Sequence, residues 1–123
     1  MRPFHPLRLL TETGRALANL IDNALDFSMA NATVALTLAV NPRSVDIQVR
    51  DHGPGIPDYA EDKVFEKFYS LARPHSRKKS TGLGLPFVKE IAELHHGRVT
   101  LKNAPEGGGA VATLSLPRAA SGA

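Results

Sequence analysis

Three short segments hold the residues of this chain whose types and spacing could do chemistry. Asn19, Asp22, Asn23 and Asp26 recur at helical spacing, Asp51 is followed at once by Gly53 and Gly55, and Gly82 and Gly84 stand just ahead of another helical run. A polar helix face offers oxygen donors. A carboxylate over a glycine turn offers an acceptor that backbone can approach closely, and a glycine loop at a helix start offers free amides and a positive dipole end to phosphate. Together these meet the needs of an adenine nucleotide with its magnesium ion.

Magnesium takes oxygen ligands in near-octahedral geometry and keeps several waters, so one amide oxygen from Asn23 plus phosphate oxygens is a workable set. Asn19 lies one turn earlier on the same face and could hold a second water or a phosphate. A lone asparagine on a helix is ordinarily a solvent-facing residue, but two at i and i+4 beside Asp22 and Asp26 form a stripe. Asp51 can accept a hydrogen bond from the exocyclic amino group of adenine, and guanine has a carbonyl there instead. Taken alone, Asp-x-Gly-x-Gly is also an ordinary turn. The run Thr81-Gly82-Leu83-Gly84-Leu85 is not a Walker A loop, because no Lys-Ser or Lys-Thr follows. It is not a Rossmann fingerprint either, since it lacks the third glycine and a preceding strand. Pro86 suits the first turn of a helix, where a missing donor is tolerated.

These residues need elements to hold them. On a helical wheel from about Thr11 to Phe27, Ala16, Leu17, Leu20, Ile21, Ala24, Leu25 and Phe27 fill one half, and Arg15, Asn19, Asp22, Asn23 and Asp26 the other. Thr33 to Val40 alternates with Val34, Leu36, Leu38 and Val40 on one face. Val45, Ile47 and Val49 alternate in the next run, and Asn41-Pro42-Arg43-Ser44 reads as the hairpin turn between them. Asp51 is in phase with those valines and isoleucine, which aims its carboxylate at the covered face of the sheet. A carboxylate placed there needs a partner.

Pro57 to Phe68 suggests a short helix and turn, and Tyr69 to Thr81 a basic loop of about thirteen residues, a length characteristic of lids and binding loops. A second amphipathic helix runs from Leu83 to His96, with Gly97 as its cap. Arg98 to Lys102 and Ala110 to Leu116 are strands joined across a glycine-rich turn. The expected fold is a two-layer α/β sandwich, a mixed and mostly antiparallel sheet of about four strands with helices on one face. Residues 1–10 read as a poorly ordered lead-in, 11–117 as the domain and 118–123 as a disordered tail.

At 123 residues there is room for one domain that can bury a core without cross-links, and the absence of cysteine excludes disulfides and thiolate metal sites. No apolar run approaches the ~18 residues of a membrane span and no signal-peptide core is present, so the expectation is a cytoplasmic chain without membrane contact of its own. The net charge of +3 is uneven: Arg73, His75, Arg77, Lys78 and Lys79 crowd the stretch before the glycine motif. Without interleaved aromatics or a basic helix face, nucleic acid is not the expected partner, and phosphate is.

Asn19-Leu20-Ile21-Asp22-Asn23-Ala24, Asp51-His52-Gly53-Pro54-Gly55-Ile56, Val64-Phe65-Glu66-Lys67-Phe68-Tyr69 and Thr81-Gly82-Leu83-Gly84-Leu85 resemble, in order, the N, G1, F and G2 boxes of sensor histidine kinases. The match is to their catalytic ATP-binding domain and covers about Thr11 to Leu116. The F and G2 segments look most like the CreC type. The resemblance implies a Bergerat-type fold, shared with gyrase, Hsp90 and MutL, binding ATP and Mg2+. It places the metal at Asn23 and adenine at Asp51. Where those ATPases carry a glutamate general base this chain has Asn19, which suits transfer of the γ-phosphoryl group to a protein histidine rather than to water. Partners implied are a dimerisation and phosphoacceptor domain and, indirectly, a response regulator.

The chain departs from the family at Asp26, where many members have lysine, and at Ser70, where many have a basic residue. Arg73 or Lys79 is expected to substitute as the catalytic cation. Ser80 replaces the first glycine of the G2 box. No acceptor histidine is recognisable, since His5 precedes a proline. Two other readings share these motifs: a nucleotide-binding regulatory module or truncated kinase without transferase activity, and a serine kinase of the anti-sigma-factor type, which the F-box segment disfavours.

Overall fold

In the computed structural model the described residues are 6–28, 33–57, 60, 63–66, 84–104 and 108–118, with the side chains of 6–10 excepted. They form helix α1 (Pro6–Phe27), strands β1 (Ala35–Val40) and β2 (Ser44–Arg50), helix α2 (Gly84–Leu94), and strands β3 (Arg98–Asn103) and β4 (Ala110–Pro117). The sheet order is β1-β2-β4-β3 and each neighbouring pair is antiparallel. Two hairpins thus lie side by side, and both helices pack on one face.

That face is set by alternation. Val45, Ile47 and Val49 of β2 stand beside Leu116, Leu114 and Ala112 of β4 in the register, and Leu114 is fully buried. Ala16, Leu20 and Ala24 of α1 meet Val88, Ile91 and Ala92 of α2 above them. A second cluster of Ile56, Ala60, Val64 and Ala110, with Phe65 and Leu85 against it, seals the end of the sheet where Asp51 lies. Around Ala60 the backbone makes short helical turns, with Ala60 N donating to Pro57 O and Val64 N to Ala60 O.

Five details differ from the expectations. Helix α1 starts at Pro6, not Thr11, so residues 6–10 are helical rather than a lead-in. Its buried stripe is narrower than the apolar half of the wheel: Leu25 is 56% exposed because α1 packs chiefly on α2 and only its inner flank reaches β2. Strand β1 has its apolar residues in the expected phase, yet every residue of it is exposed, since the helices lie over the other strands and stop short of this edge. At the end of α2 the left-handed residue is His96, at φ 62°, not Gly97. His96 N donates to Glu93 O and Gly97 N to Ala92 O, the two bonds of a Schellman cap one residue earlier than the glycine suggests. At the other end, β4 runs through Pro117, and Arg118 N donates to Arg43 O, tying the start of the expected tail to the first hairpin.

Candidate functional site

Asp51 directly follows β2 and is 5% exposed, as its phase requires. Its backbone N–H donates to Ala110 O at 3.0 Å, continuing the β2–β4 pairing for one more residue. Its Oδ1 accepts two backbone N–H bonds, from Gly53 and from Ala110, each at 3.0 Å. Among the described residues no donor is seen on Oδ2. The carboxylate is therefore held by one oxygen and has the other available as an acceptor, which is what recognition of an amino group needs.

The loop after Asp51 is pressed against the end of α1. A Cβ on Gly53 would stand 1.9 Å from the Phe27 carbonyl oxygen, so only glycine permits this approach. Beside it, His52 N donates to Ser28 Oγ at 3.2 Å, and His52 Nδ1 contacts Thr33 O. Asn23 is one turn ahead of Phe27 on α1, and both Asn19 and Asn23 are half-buried. The first two motifs thus meet in space through Phe27 and Gly53.

Three positions that sequence reasoning missed brace this arrangement. Asn103, the last residue of β3, takes the Ile56 N–H on Oδ1 at 2.6 Å and donates from Nδ2 to Ile56 O at 2.9 Å, fixing the loop just past Gly55. Gly109 has φ 91°, and a Cβ there would lie 2.0 Å from Asp51 O and 3.0 Å from Asp51 Oδ1. Ala110 contributes through its main chain alone. The glycine run at 107–109 signalled a turn, but nothing local signalled that the turn closes on Asp51.

Of the third motif, Gly84 opens α2 as expected and Leu85 packs on both core clusters. Thr81, Gly82 and Leu83 lie outside the described residues, as do Arg73 and Lys79.

Among the described residues a magnesium ion would find few ligands. The described residues contain no group of three or more His, Cys, Asp or Glu able to hold a metal. One amide oxygen from Asn23 fits an ion that arrives with its own oxygen donors, as one chelated by a triphosphate does.

Residues 11–120 match the model of the histidine kinase-, DNA gyrase B- and HSP90-like ATPase family. The chain belongs to this ATPase family. Within it, the chain is 49% identical over 104 residues to the sensor protein CreC of Escherichia coli K12, a match over 85% of this chain and 22% of CreC. Among solved structures it superposes on the mycobacterial sensor histidine kinase MprB with a TM-score of 0.78 and 32% identity, over 87% of this chain and 72% of that one. It also superposes on full-length ShkA in complex with AMPPNP with a TM-score of 0.69 and 28% identity, over 89% of this chain and 22% of ShkA. This ATPase domain thus spans about a fifth of the length of the sensor kinase CreC. Its four-stranded antiparallel sheet with two helices is the fold of histidine kinase catalytic domains. No helix among the described residues is long and apolar enough to cross a membrane.

Proposed function

We propose that the chain is the Mg-ATP-binding catalytic domain of a sensor histidine kinase, and that it passes the γ-phosphoryl group of ATP to a histidine on a separate dimerisation domain. The observation that carries this reading is the braced carboxylate of Asp51, with Oδ1 committed to Gly53 and Ala110 and Oδ2 left for the adenine amino group. Gly53 and Gly55 let the base lie against the backbone. Asn23 would give one oxygen to magnesium and Asn19 would hold a water or phosphate on the same helix face. Thr81, Gly82, Leu83, Gly84 and Leu85 would present amides to the phosphates, and Arg73 and Lys79 would supply the cation that Asp26 and Ser70 do not.

Magnesium, when bound, neutralises phosphate charge and orients the terminal group. Phosphoryl transfer of this kind depends on positioning and electrostatics, so the domain needs no covalent intermediate. Asn19 lacks the basicity to activate water, which disfavours plain hydrolysis. The acceptor and, beyond it, a response regulator would be supplied by other domains, with the chemistry at the cytoplasmic side.

The test is transfer in trans. The chain is mixed with the dimerisation domain of a matching kinase, γ-labelled ATP and magnesium, and label is followed on the acceptor histidine. Label that needs both components supports the reading, and its loss in the doubly substituted Arg73→Ala/Lys79→Ala chain supports the assigned cation. Nucleotide binding without any transfer would leave a regulatory module instead.

A further inference from the structure

We infer that the face of the sheet turned away from the helices carries a second ligand site, one that takes a small phosphate monoester between Arg50 and Lys102. The register lays this face out in rows. Arg50 stands beside Val111 of β4, and Val111 beside Lys102 of β3, so the two cations flank one apolar residue. The next row is Thr37, Gln48, Thr113 and Thr100, one residue from each strand. Alternation turns both rows away from the core, because Val49, Leu101, Ala112 and Leu114 between them pack under the helices. Together the rows line one hollow of about 550 Å³, a size within the range of small-molecule sites.

The state of the two cations points to an anion. Among the described residues neither Arg50 nor Lys102 makes a hydrogen bond or ion pair through its side chain, and Arg50 Nε is buried as well. A face that merely met water would leave each donor hydrated. A small turn of the guanidinium toward an oxygen in the hollow would give this donor its acceptor. Among the described residues no acid lines the hollow. Asp46, on the same face two positions before Gln48, is already engaged, accepting Ser115 Oγ at 2.6 Å and Asn41 Nδ2 at 3.2 Å.

Two strand spacings, about 10 Å, separate the backbones of Arg50 and Lys102. Both side chains are long enough to close on a group lodged over Val111. Together they carry two positive charges, which a phosphate monoester matches, since its second proton leaves at about pH 6 and it is largely a dianion at neutral pH. A carboxylate brings one charge only. Guanidinium meets phosphate oxygens through two parallel bonds, and the ammonium adds a point charge from the other side. The body of the ester would lie along Thr37, Gln48, Thr113 and Thr100, whose hydroxyls and amide suit a polar, hydroxyl-bearing carrier. This site is independent of the nucleotide reading, because Asp51 and Asn23 lie on the helix side of the sheet.

Residue-resolved amide shifts of the 123-residue chain, titrated with inorganic phosphate, glycerol phosphate and acetate at constant ionic strength, test this. Arg50, Lys102, Val111 and Thr113 should move together and saturate for both phosphates, with dissociation constants of about 1–20 mM. Acetate should bind at least fivefold more weakly than phosphate, and glycerol phosphate at least threefold more tightly. Lys102→Gln and Arg50→Gln should each weaken phosphate at least fivefold, whereas Arg98→Gln, on the same face beside Ser115, should change it less than twofold. Shifts confined to residues 82–84 would assign the anion to the glycine motif and overturn the inference. So would the absence of saturable shifts, acetate binding as tightly as phosphate, glycerol phosphate binding no more tightly, or an unchanged affinity in Lys102→Gln. If Arg50→Gln fails to fold, Lys102→Gln decides, since Lys102 is exposed and makes no side-chain bond among the described residues.

Discussion

Gly53 lies so close beneath the carbonyl of Phe27 that a methyl group on it would stand 1.9 Å from that oxygen. This contact fastens the end of the asparagine helix to the loop that follows Asp51. The two motifs most important to the nucleotide reading are therefore held by backbone packing, and the separation between them does not depend on any flexible side chain.

Asp51→Asn should separate base recognition from folding. Asparagine can keep its carbonyl oxygen under Gly53 N and Ala110 N, where Asp51 Oδ1 now accepts both bonds. Its amide nitrogen then occupies the Oδ2 position and points hydrogens at the adenine amino group. An accepted bond becomes a donor–donor clash, and ATP affinity should fall about 10- to 100-fold, the equivalent of about 1–3 kcal/mol. Titration with ATP and GTP should show lost preference between them, with the urea midpoint little changed.

Asn23→Ala should act on the metal instead. ATP titrated with and without magnesium should show a clear metal enhancement in the unsubstituted chain and a much smaller one in the variant. Equal enhancement in both would remove Asn23 from the ligand set.

Asn103→Ala removes both bonds to Ile56 and leaves the loop past Gly55 unanchored. Two part-buried hydrogen bonds are worth about 1–3 kcal/mol together. On the proposed function the loop borders the purine, so stability and ATP affinity should fall together. Urea unfolding monitored by circular dichroism, paired with a nucleotide titration, reads both.

Gly109→Ala faces two obstacles, the left-handed backbone at φ 91° and a Cβ 2.0 Å from Asp51 O. The expected loss is about 2–3 kcal/mol. His96→Gly has the opposite sign. His96 sits at φ 62° with no side-chain bond among the described residues to require it, and glycine there should raise stability by about 0.5–1 kcal/mol. Urea midpoints measured with unchanged m-values check both.

Local pattern reached some of this and stopped at a definable place. The strand phase of Val45, Ile47 and Val49 was enough to bury Asp51, and the wheel of α1 was enough to present Asn19 and Asn23 together, because periods of 2 and 3.6 are written in neighbouring residues. The partners of the loop were not legible. Asn103 reaches Ile56 across 47 positions and Ala110 reaches Asp51 across 59, and only the pairing of β2 with β4 and of β4 with β3 makes them neighbours. Alternation likewise assigned Leu36, Leu38 and Val40 to a face, but which strand ends at the rim of the sheet is a property of the whole topology. His96 was masked by its neighbour, since a glycine after a helix invites the cap to be placed one residue late.

The bracing of Asp51 by main-chain amides has a consequence for how this domain tolerates change. At Ala110 the donor belongs to the peptide unit, so many small apolar residues could stand there and leave the acid's orientation untouched. At Gly109, one position earlier, almost nothing else fits. A saturation library across this turn should therefore show one permissive site directly beside one nearly invariant site, although both serve the same carboxylate.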